Sequence, residues 1–406
     1  MGSFFINGGV PLRGEVRVDG SKNGALPVLF ATLLCRGVSV IENFPAIGDT
    51  LAGLKILEYL GARCSLSEGV LTVDTTKAYY RPVPAHLTSP LRASTYLIGG
   101  CLGGFGRASL PCSGGCNFST RPIDLHLDAV RAFGCMSDKD ELVGRPRPAV
   151  HTVGKHSVGA TVNSLLLASS AEGVSLLSGV AREPHVDMLI DLLRSMGAHI
   201  SACGDTLTVR GGKLHPGKTR IRGDMIEAGS YLAVGAVTGG AVSVSGVSPA
   251  DISSFTDLLC ELGVGVSVGD DSVHVFGRPT KWGRATAAPY PAFPTDLQPI
   301  LSAVLAVGQG GEITDTVFPH RFGYLDTLAR FGLKYQRTEG GARIFPSRLF
   351  ASECESPDLR GGMSAVLVAL AAHGESRVGS AQTVLRGYSD PIKKLSSLGA
   401  DIKYIG

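Results

Sequence analysis

Apolar and polar positions along the 406-residue chain follow a pattern that returns six times. Its mark is an apolar residue, a glycine and a small or apolar residue: Leu60-Gly61-Ala62, Phe133-Gly134-Cys135, Met196-Gly197-Ala198, Leu262-Gly263-Val264, Phe331-Gly332-Leu333 and Leu398-Gly399-Ala400. The spacing is roughly 65–70 residues, longer than common solenoid units but regular. Before most of these marks the apolar residues recur with a helical period, as in Asp187–Met196, Phe255–Leu262 and Asp326–Phe331. A glycine at the position after such a helix supplies the positive φ that a helix end favours. Residues 200–209 and 266–276 then alternate apolar and polar around Gly-Asp and Asp-Asp turns, which predicts strand hairpins.

A second element recurs between the marks. Leu26–Leu34, Val162–Ala171, Tyr231–Val237, Leu297–Val307 and Met363–Ala372 are apolar almost all round and rich in Ala, Gly and Ser. A helix of that kind is buried on every side. Each leads into a strand that begins at a glycine: Gly37–Ile41, Gly173–Leu177, Gly240–Val244, Gly311–Thr314 and Gly374–Val378. The repeating unit is therefore helix, strand, helix and hairpin, with the first helix innermost. Six such units in a chain too long for one ordinary core predict an α/β protein of two domains with three units each.

Composition narrows the function. Hydrophobic residues make up 44% of the chain, enough for large cores, and the net charge is only +3. Aromatics are 6% and no Lys/Arg block occurs, so nucleic-acid binding is not expected. The first residues lack the basic and apolar regions of a signal peptide, and the longest apolar runs, such as Ala25–Cys35, are too short for membrane insertion. The nine cysteines are scattered and odd in number, which argues against a disulfide framework. Cys112 and Cys116 are four apart, but no second Cys or His pair completes a zinc set. A soluble, cytoplasmic protein without a metal is the expectation.

Candidate chemistry concentrates in residues 114–126, GGCNFSTRPIDLH. Gly114 and Gly115 each cost a helix or strand about 1 kcal/mol relative to alanine, so this stretch reads as a loop carrying Cys116. Arg121 is a fixed cation that favours a thiolate nearby. From these residues alone Cys116 is either an activated thiol beside an anion-binding arginine or a small apolar residue under a surface turn. The starts of the inner helices are also polar: Ser21-Lys22-Asn23, Arg92-Ala93-Ser94, Lys155 to Gly159, Asp224 with Glu227, Pro294-Thr295-Asp296 and Asp358-Leu359-Arg360. Helix N-termini bind anions, and their Asp, Ser and Thr side chains, Thr295 and Asp296 included, read individually as caps. Lys22, Arg92, Lys155 and Arg360 oppose the helix dipole and call for another explanation, a phosphorylated substrate between two domains. His126 and His185, taken singly, read as structural or surface residues.

These motifs, taken in order, resemble the enolpyruvyl transferase family over nearly the whole chain. The resemblance rests on G-S-K-N at 20–23, L-R-A-S at 91–94, G-G-C at 114–116, R-P-x-D-L-H at 121–126 and S-V-G-A-T at 157–161. It continues through R-E-P at 182–184, P-A-F-P-T-D-L-Q at 291–298, D-L-R at 358–360 and R-G-Y at 386–388. The chain is most similar to the members that act on UDP-N-acetylglucosamine. The shikimate-pathway transferases lack the Cys loop and the R-P-x-D-L-H segment. The resemblance implies a two-domain inside-out α/β barrel of six βαβαββ repeats. It places 22–222 in one domain and 1–21 plus 223–406 in the other.

The implied reaction moves enolpyruvyl from phosphoenolpyruvate to the 3′-hydroxyl of UDP-N-acetylglucosamine and releases phosphate, the first committed step of peptidoglycan precursor synthesis. It runs by addition through a tetrahedral ketal, then elimination. By resemblance Cys116 is the proton donor and forms a covalent adduct, and Asp296 is the candidate base. Lys22, Asn23, Arg121, Arg360 and Arg386 match groups that hold phosphoenolpyruvate, with Lys22 and Arg386 also catalytic. Asn23, Arg92, Arg121, Pro122, Ile123, Asp124, Leu125, Lys155, Ser157, Val158, Gly159, Asp296 and Val317 match nucleotide-sugar contacts. Asp358 is a further active-site charge. The family closes its domains on the sugar first, with the Cys loop as a lid. Neither a metal nor an organic cofactor is implied, and nothing in the chain indicates an oligomeric state.

The chain departs from the family at several points. The loop C-x-I-G-x-R reads Cys116-Asn117-Phe118-Ser119-Thr120-Arg121, without the hinge glycine. D-R-I-E becomes Asp224-Met225-Ile226-Glu227, and F-E-N-R-F becomes Phe318-Pro319-His320-Arg321-Phe322. The segment between His126 and Lys155 is several residues short. Two further readings stay open on these grounds: transfer to another uridine nucleotide such as UMP in specialised metabolism, and a non-catalytic nucleotide-binding paralogue.

Overall fold

Each glycine of the sixfold mark has a positive φ, between 75° at Gly134 and 104° at Gly197. Each follows a helix and precedes a strand, which opens a hairpin in five of the six; Asp401–Ile405 pairs instead with Ser3–Gly8. The computed structural model describes residues 2–110 and 123–406. Cys116, Arg121 and Pro122 lie outside the described residues. The described chain divides into two compact units, 20–222 and 2–19 with 223–406. Each unit has its own core, one built around residues such as Leu29, Ile98 and Leu166, the other around Tyr231, Val304 and Leu367.

The repeat is built the same way throughout. A first strand leads to an inner helix, which returns to a second strand parallel to the first. An outer helix follows, then an antiparallel hairpin whose far strand pairs beside the second strand. In the third repeat these pieces are Val150–Thr152, Val158–Ser170, Gly173–Ser178, Pro184–Ser195, His199–Cys203 and Thr206–Gly211. Five sheets have four strands; the sheet of Arg107–Ser109, Met136–Asp138 and Glu141–Val143 has three among the described residues.

Two repeats are completed by distant pieces of chain. Ser3–Gly8 inserts between Gly374–Gly379 and Asp401–Ile405, antiparallel to both, and Arg13–Arg17 supplies the first strand beside Ala241–Ser245. Lys218–Arg220 pairs in parallel with Val38–Glu42 and closes the first sheet of the other unit.

The inner helices are buried on all sides. Every residue of Met225–Thr238 after the first is buried, as are residues 359–370 of Leu359–Ala371. Such helices cannot carry unsatisfied polar groups in their middles without cost, so polar residues there need partners. Their starts are different: the first turn is where capping side chains and backbone N–H groups meet the functional residues. No helix among the described residues is long and apolar enough to cross a membrane.

Candidate active site

In the unit 20–222, Lys22 opens the helix Lys22–Ala31, with Ser21 as its cap accepting from the N–H of Gly24 at 3.3 Å. The Lys22 ammonium stands 3.3 Å from Oδ2 of Asp49, a buried carboxylate in the first turn of Gly48–Tyr59. Asn23 is half-buried beside it. A lysine held by a buried carboxylate has its stem and head oriented before any ligand arrives.

Three stretches of candidate nucleotide-sugar contacts come together in the same unit. Arg92 begins the short turn Arg92–Tyr96, where burial pulls its guanidinium below the usual value. Asp124, Leu125 and His126 form the first turn of Asp124–Ala132, with Ile123 at its cap. Lys155 lies in the turn Gly154–His156, and Ser157 caps Val158–Ser170 by accepting from Ala160 N–H at 3.4 Å. Leu125 packs against Gly154 closely enough that a Cβ there would lie 2.9 Å from its Cδ2. Val158 and Gly159 follow Ser157 at the half-buried helix start.

The link between these stretches is Asn163, which the sequence reading passed over. Its amide bonds to His126, to the carbonyl of Thr95 and to the N–H of Gly99. His126 is buried, and burial together with the nearby Arg92 charge holds its imidazole down at about 4. It is a neutral ring at physiological pH.

In the unit 2–19 with 223–406, Asp296 is the centre of the arrangement. It sits in the turn Thr295–Leu297 and does not cap the helix that follows; nor does Thr295, whose hydroxyl donates to Asp315 Oδ2 at 2.5 Å. This corrects the individual capping reading of both residues: their side chains are taken by longer-range partners. Arg321 Nη1 donates to Asp296 Oδ1 at 2.7 Å and to the Thr295 carbonyl at 3.2 Å. Arg360 Nε donates to Asp296 Oδ2 at 3.2 Å. The two arginines are only 3% and 2% exposed, whereas Asp296 is 27% exposed. Each carboxylate oxygen thus has its own guanidinium, and the carboxylate keeps an open side.

Asp358 is the cap of Leu359–Ala371, accepting from the N–H groups of Arg360 and Gly361 at 2.9 and 3.0 Å. It fixes the first turn of the helix that carries Arg360. The Arg360 guanidinium stacks 5.3 Å over the Tyr388 ring, and Tyr388 OH bonds Ser230 Oγ at 2.8 Å. Buried guanidinium N–H groups such as Arg360 Nη1, for which no acceptor lies within hydrogen-bond geometry among the described residues, suit an anionic ligand. Arg386, two residues before Tyr388, is half-buried at the end of Gln382–Leu385. Val317 is shaped by Asp315, whose Oδ1 accepts from the N–H groups of Val317 and Phe318 at 2.9 and 2.7 Å.

Four of these residues, Asp49, Asn163, Asp315 and Arg321, were not among the candidates drawn from sequence. Asn163 did carry a readable signal: an amide in the middle of a helix apolar all round has to be partnered. Arg321 lies in the departing segment 318–322, but its carboxylate partner is 25 residues away and only the fold joins them.

A doubly built unit of three βαβαββ repeats, with charged residues gathered at inner-helix starts, defines the enolpyruvyl transferases. The chain belongs to this family: the family model described as EPSP synthase (3-phosphoshikimate 1-carboxyvinyltransferase) matches residues 6–395. Among individual proteins, it is 39% identical to UDP-N-acetylglucosamine 1-carboxyvinyltransferase 3 of Caldanaerobacter subterraneus, covering 99% of each chain. It is 37% identical to UDP-N-acetylglucosamine 1-carboxyvinyltransferase 1 of Streptococcus agalactiae, covering 100% of each. The enolpyruvyl transferase NikO of Streptomyces tendae superposes with a TM-score of 0.89 at 25% identity, over 99% of this chain and 98% of that one. EPSP synthase of Acinetobacter baumannii shares the fold, with a TM-score of 0.77 at 19% identity over the full length of both.

Proposed function

We propose that the protein transfers the enolpyruvyl group of phosphoenolpyruvate to the 3′-hydroxyl of UDP-N-acetylglucosamine, releasing phosphate, as a cytoplasmic step toward peptidoglycan. The observation that carries this reading is the full-length match to carboxyvinyltransferases of that nucleotide sugar, at 37–39% identity. The site geometry supports it. Transfer to a hydroxyl needs a carboxylate aimed at solvent-accessible space, and Asp296 is held that way by Arg321 and Arg360.

In the addition step the sugar 3′-oxygen bonds to C2 of the enol while its proton passes to Asp296 and Cys116 delivers a proton to C3. In the elimination step C3 gives up a proton, the C2–O bond to phosphate breaks and phosphate departs. Lys22, Arg121, Arg360 and Arg386 hold the phosphate and carboxylate charges, and buried guanidinium groups act most strongly where water is excluded. Arg92, Ile123 to Leu125, Lys155, Ser157 to Gly159 and Val317 bind the nucleotide sugar. The assignments of Cys116, Arg121 and Pro122 rest on their place in the sequence motif.

Phosphate release with phosphoenolpyruvate and either UDP-N-acetylglucosamine or UMP tests the reading. Release with the amino sugar is expected. Release with UMP alone would replace the acceptor, and release with neither would point to a binding paralogue.

A further inference from the structure

Asn163 is fully buried in the middle of Val158–Ser170, yet its amide reaches three other elements. Oδ1 accepts the N–H of Gly99 at 2.9 Å. Nδ2 donates to the carbonyl of Thr95 at 3.1 Å and lies 2.6 Å from Nδ1 of His126. Two of these partners have no choice of role: a backbone N–H only donates and a backbone carbonyl only accepts. The amide therefore cannot be turned over, and the group facing His126 is an N–H donor. Nδ1 has to accept, so the proton of the neutral ring stands on Nε2.

That edge of the ring has a definite neighbour. A Cβ built on Gly159 would lie 2.8 Å from His126 Cε1 and 3.1 Å from Nε2. The protonated nitrogen is thus offered at the start of the helix capped by Ser157, where backbone N–H groups already favour an anion. Through one side chain the turn Arg92–Tyr96, the start of Leu97–Phe105, the first turn of Asp124–Ala132 and the helix Val158–Ser170 are fixed to one another.

We propose that Asn163 is a positioning residue for the nucleotide sugar: it locks His126 as the Nε2–H tautomer and so places a neutral donor beside Arg92 and residues 157–159. This rests on the acceptor reading given above. The lock itself does not depend on it.

Long-range nitrogen–proton NMR of the wild-type protein is expected to show His126 as an Nε2–H imidazole that does not titrate between pH 5.5 and 8. An Nδ1–H ring, or titration near the usual histidine value of about 6.5, would overturn the lock. His126→Gln keeps an N–H near the Nε2 position and is expected to bind UDP-N-acetylglucosamine within about threefold of wild type by calorimetry, whereas His126→Leu weakens binding about tenfold or more. The loss in His126→Leu is expected in KM for the sugar rather than in KM for phosphoenolpyruvate. Equal affinity in His126→Leu and wild type would overturn the positioning role. Asn163→Asp, which faces Nδ1 with an acceptor, is expected to move the ring proton to Nδ1 and make sugar affinity pH-dependent. A wild-type protein that binds the sugar tightly but releases no phosphate would overturn the catalytic reading and leave this one intact.

Discussion

Arg321 places Nη1 2.7 Å from Oδ1 of Asp296, and the pair is joined by Arg360 on the other carboxylate oxygen. The consequence is an aspartate fixed in orientation by two buried cations before substrate binds. Arg321 also holds the Thr295 carbonyl, so the turn and the carboxylate move together or not at all.

Replacing Arg321 should therefore damage catalysis more than binding. Arg321→Lys keeps the charge but loses the planar fork that serves Asp296 and Thr295 at once. Steady-state kinetics are expected to show kcat reduced at least about tenfold, with KM for the sugar changed by less than about threefold. Wild-type kcat in the variant would remove Asp296 orientation from the account.

Gly159→Ala should act on the sugar nucleotide alone. The added Cβ would meet the His126 ring at 2.8 Å, and that ring is held by Asn163 and cannot retreat freely. KM for UDP-N-acetylglucosamine is expected to rise about tenfold while KM for phosphoenolpyruvate is unchanged. A parallel rise in both would show a general distortion of the unit instead.

Glu227 gives the protein a pH-dependent stability. It is buried at the start of Met225–Thr238, where Oε1 pairs with Lys394 at 2.7 Å and Oε2 accepts the Asp19 N–H at 2.9 Å. Burial raises its carboxyl to about 7 despite the opposing pull of Lys394. A carboxyl raised in the folded state binds its proton more tightly there than in the unfolded chain. Its contribution is complete below the ordinary glutamate value and is lost as pH rises through about 7. Denaturant unfolding of wild type and Glu227→Gln at pH 5 and pH 8 checks this. Wild type is expected to lose stability relative to the variant at the higher pH, and parallel behaviour would contradict the assignment.

Cys116→Ser is expected to impair turnover strongly near neutral pH and to abolish alkylation by the epoxide antibiotic fosfomycin. Burial pushes Cys35 up to about 11 and Cys101 and Cys354 up to about 12, so these three react slowly, whereas Cys203 and Cys260 are exposed and have to be told apart from Cys116 by position. Mass-spectrometric mapping after fosfomycin treatment reads the site directly. Unchanged labelling in the variant would move the reactive thiol elsewhere.

Much of the architecture was legible before any coordinates. The glycine after each outer helix marks the chain because only a residue tolerant of positive φ ends those helices and starts the hairpin, as at Gly61 and Gly197. The inner helices were visible because apolar, Ala, Gly and Ser residues run almost all round them, as in Val162–Ala171. What escaped depends on long-range pairing. Ser3–Gly8 completes a sheet with strands near the far end of the chain, and its own pattern names no partner. The candidate charges at helix starts were readable one by one, but Asp296 read as a cap because Arg321 and Arg360 approach it only in the fold. Asn163 and His126, 37 residues apart, are joined the same way.

The central claim is that enolpyruvyl leaves phosphate for the 3′-oxygen of the amino sugar. Phosphoenolpyruvate labelled with carbon-13 at C2, incubated with the protein and UDP-N-acetylglucosamine and followed by carbon NMR, tests it most directly. The label is expected to move from the phosphate ester into a vinyl ether on the sugar 3′-oxygen, through a transient tetrahedral ketal. A label that stays in phosphoenolpyruvate, or appears only as free pyruvate, would contradict it.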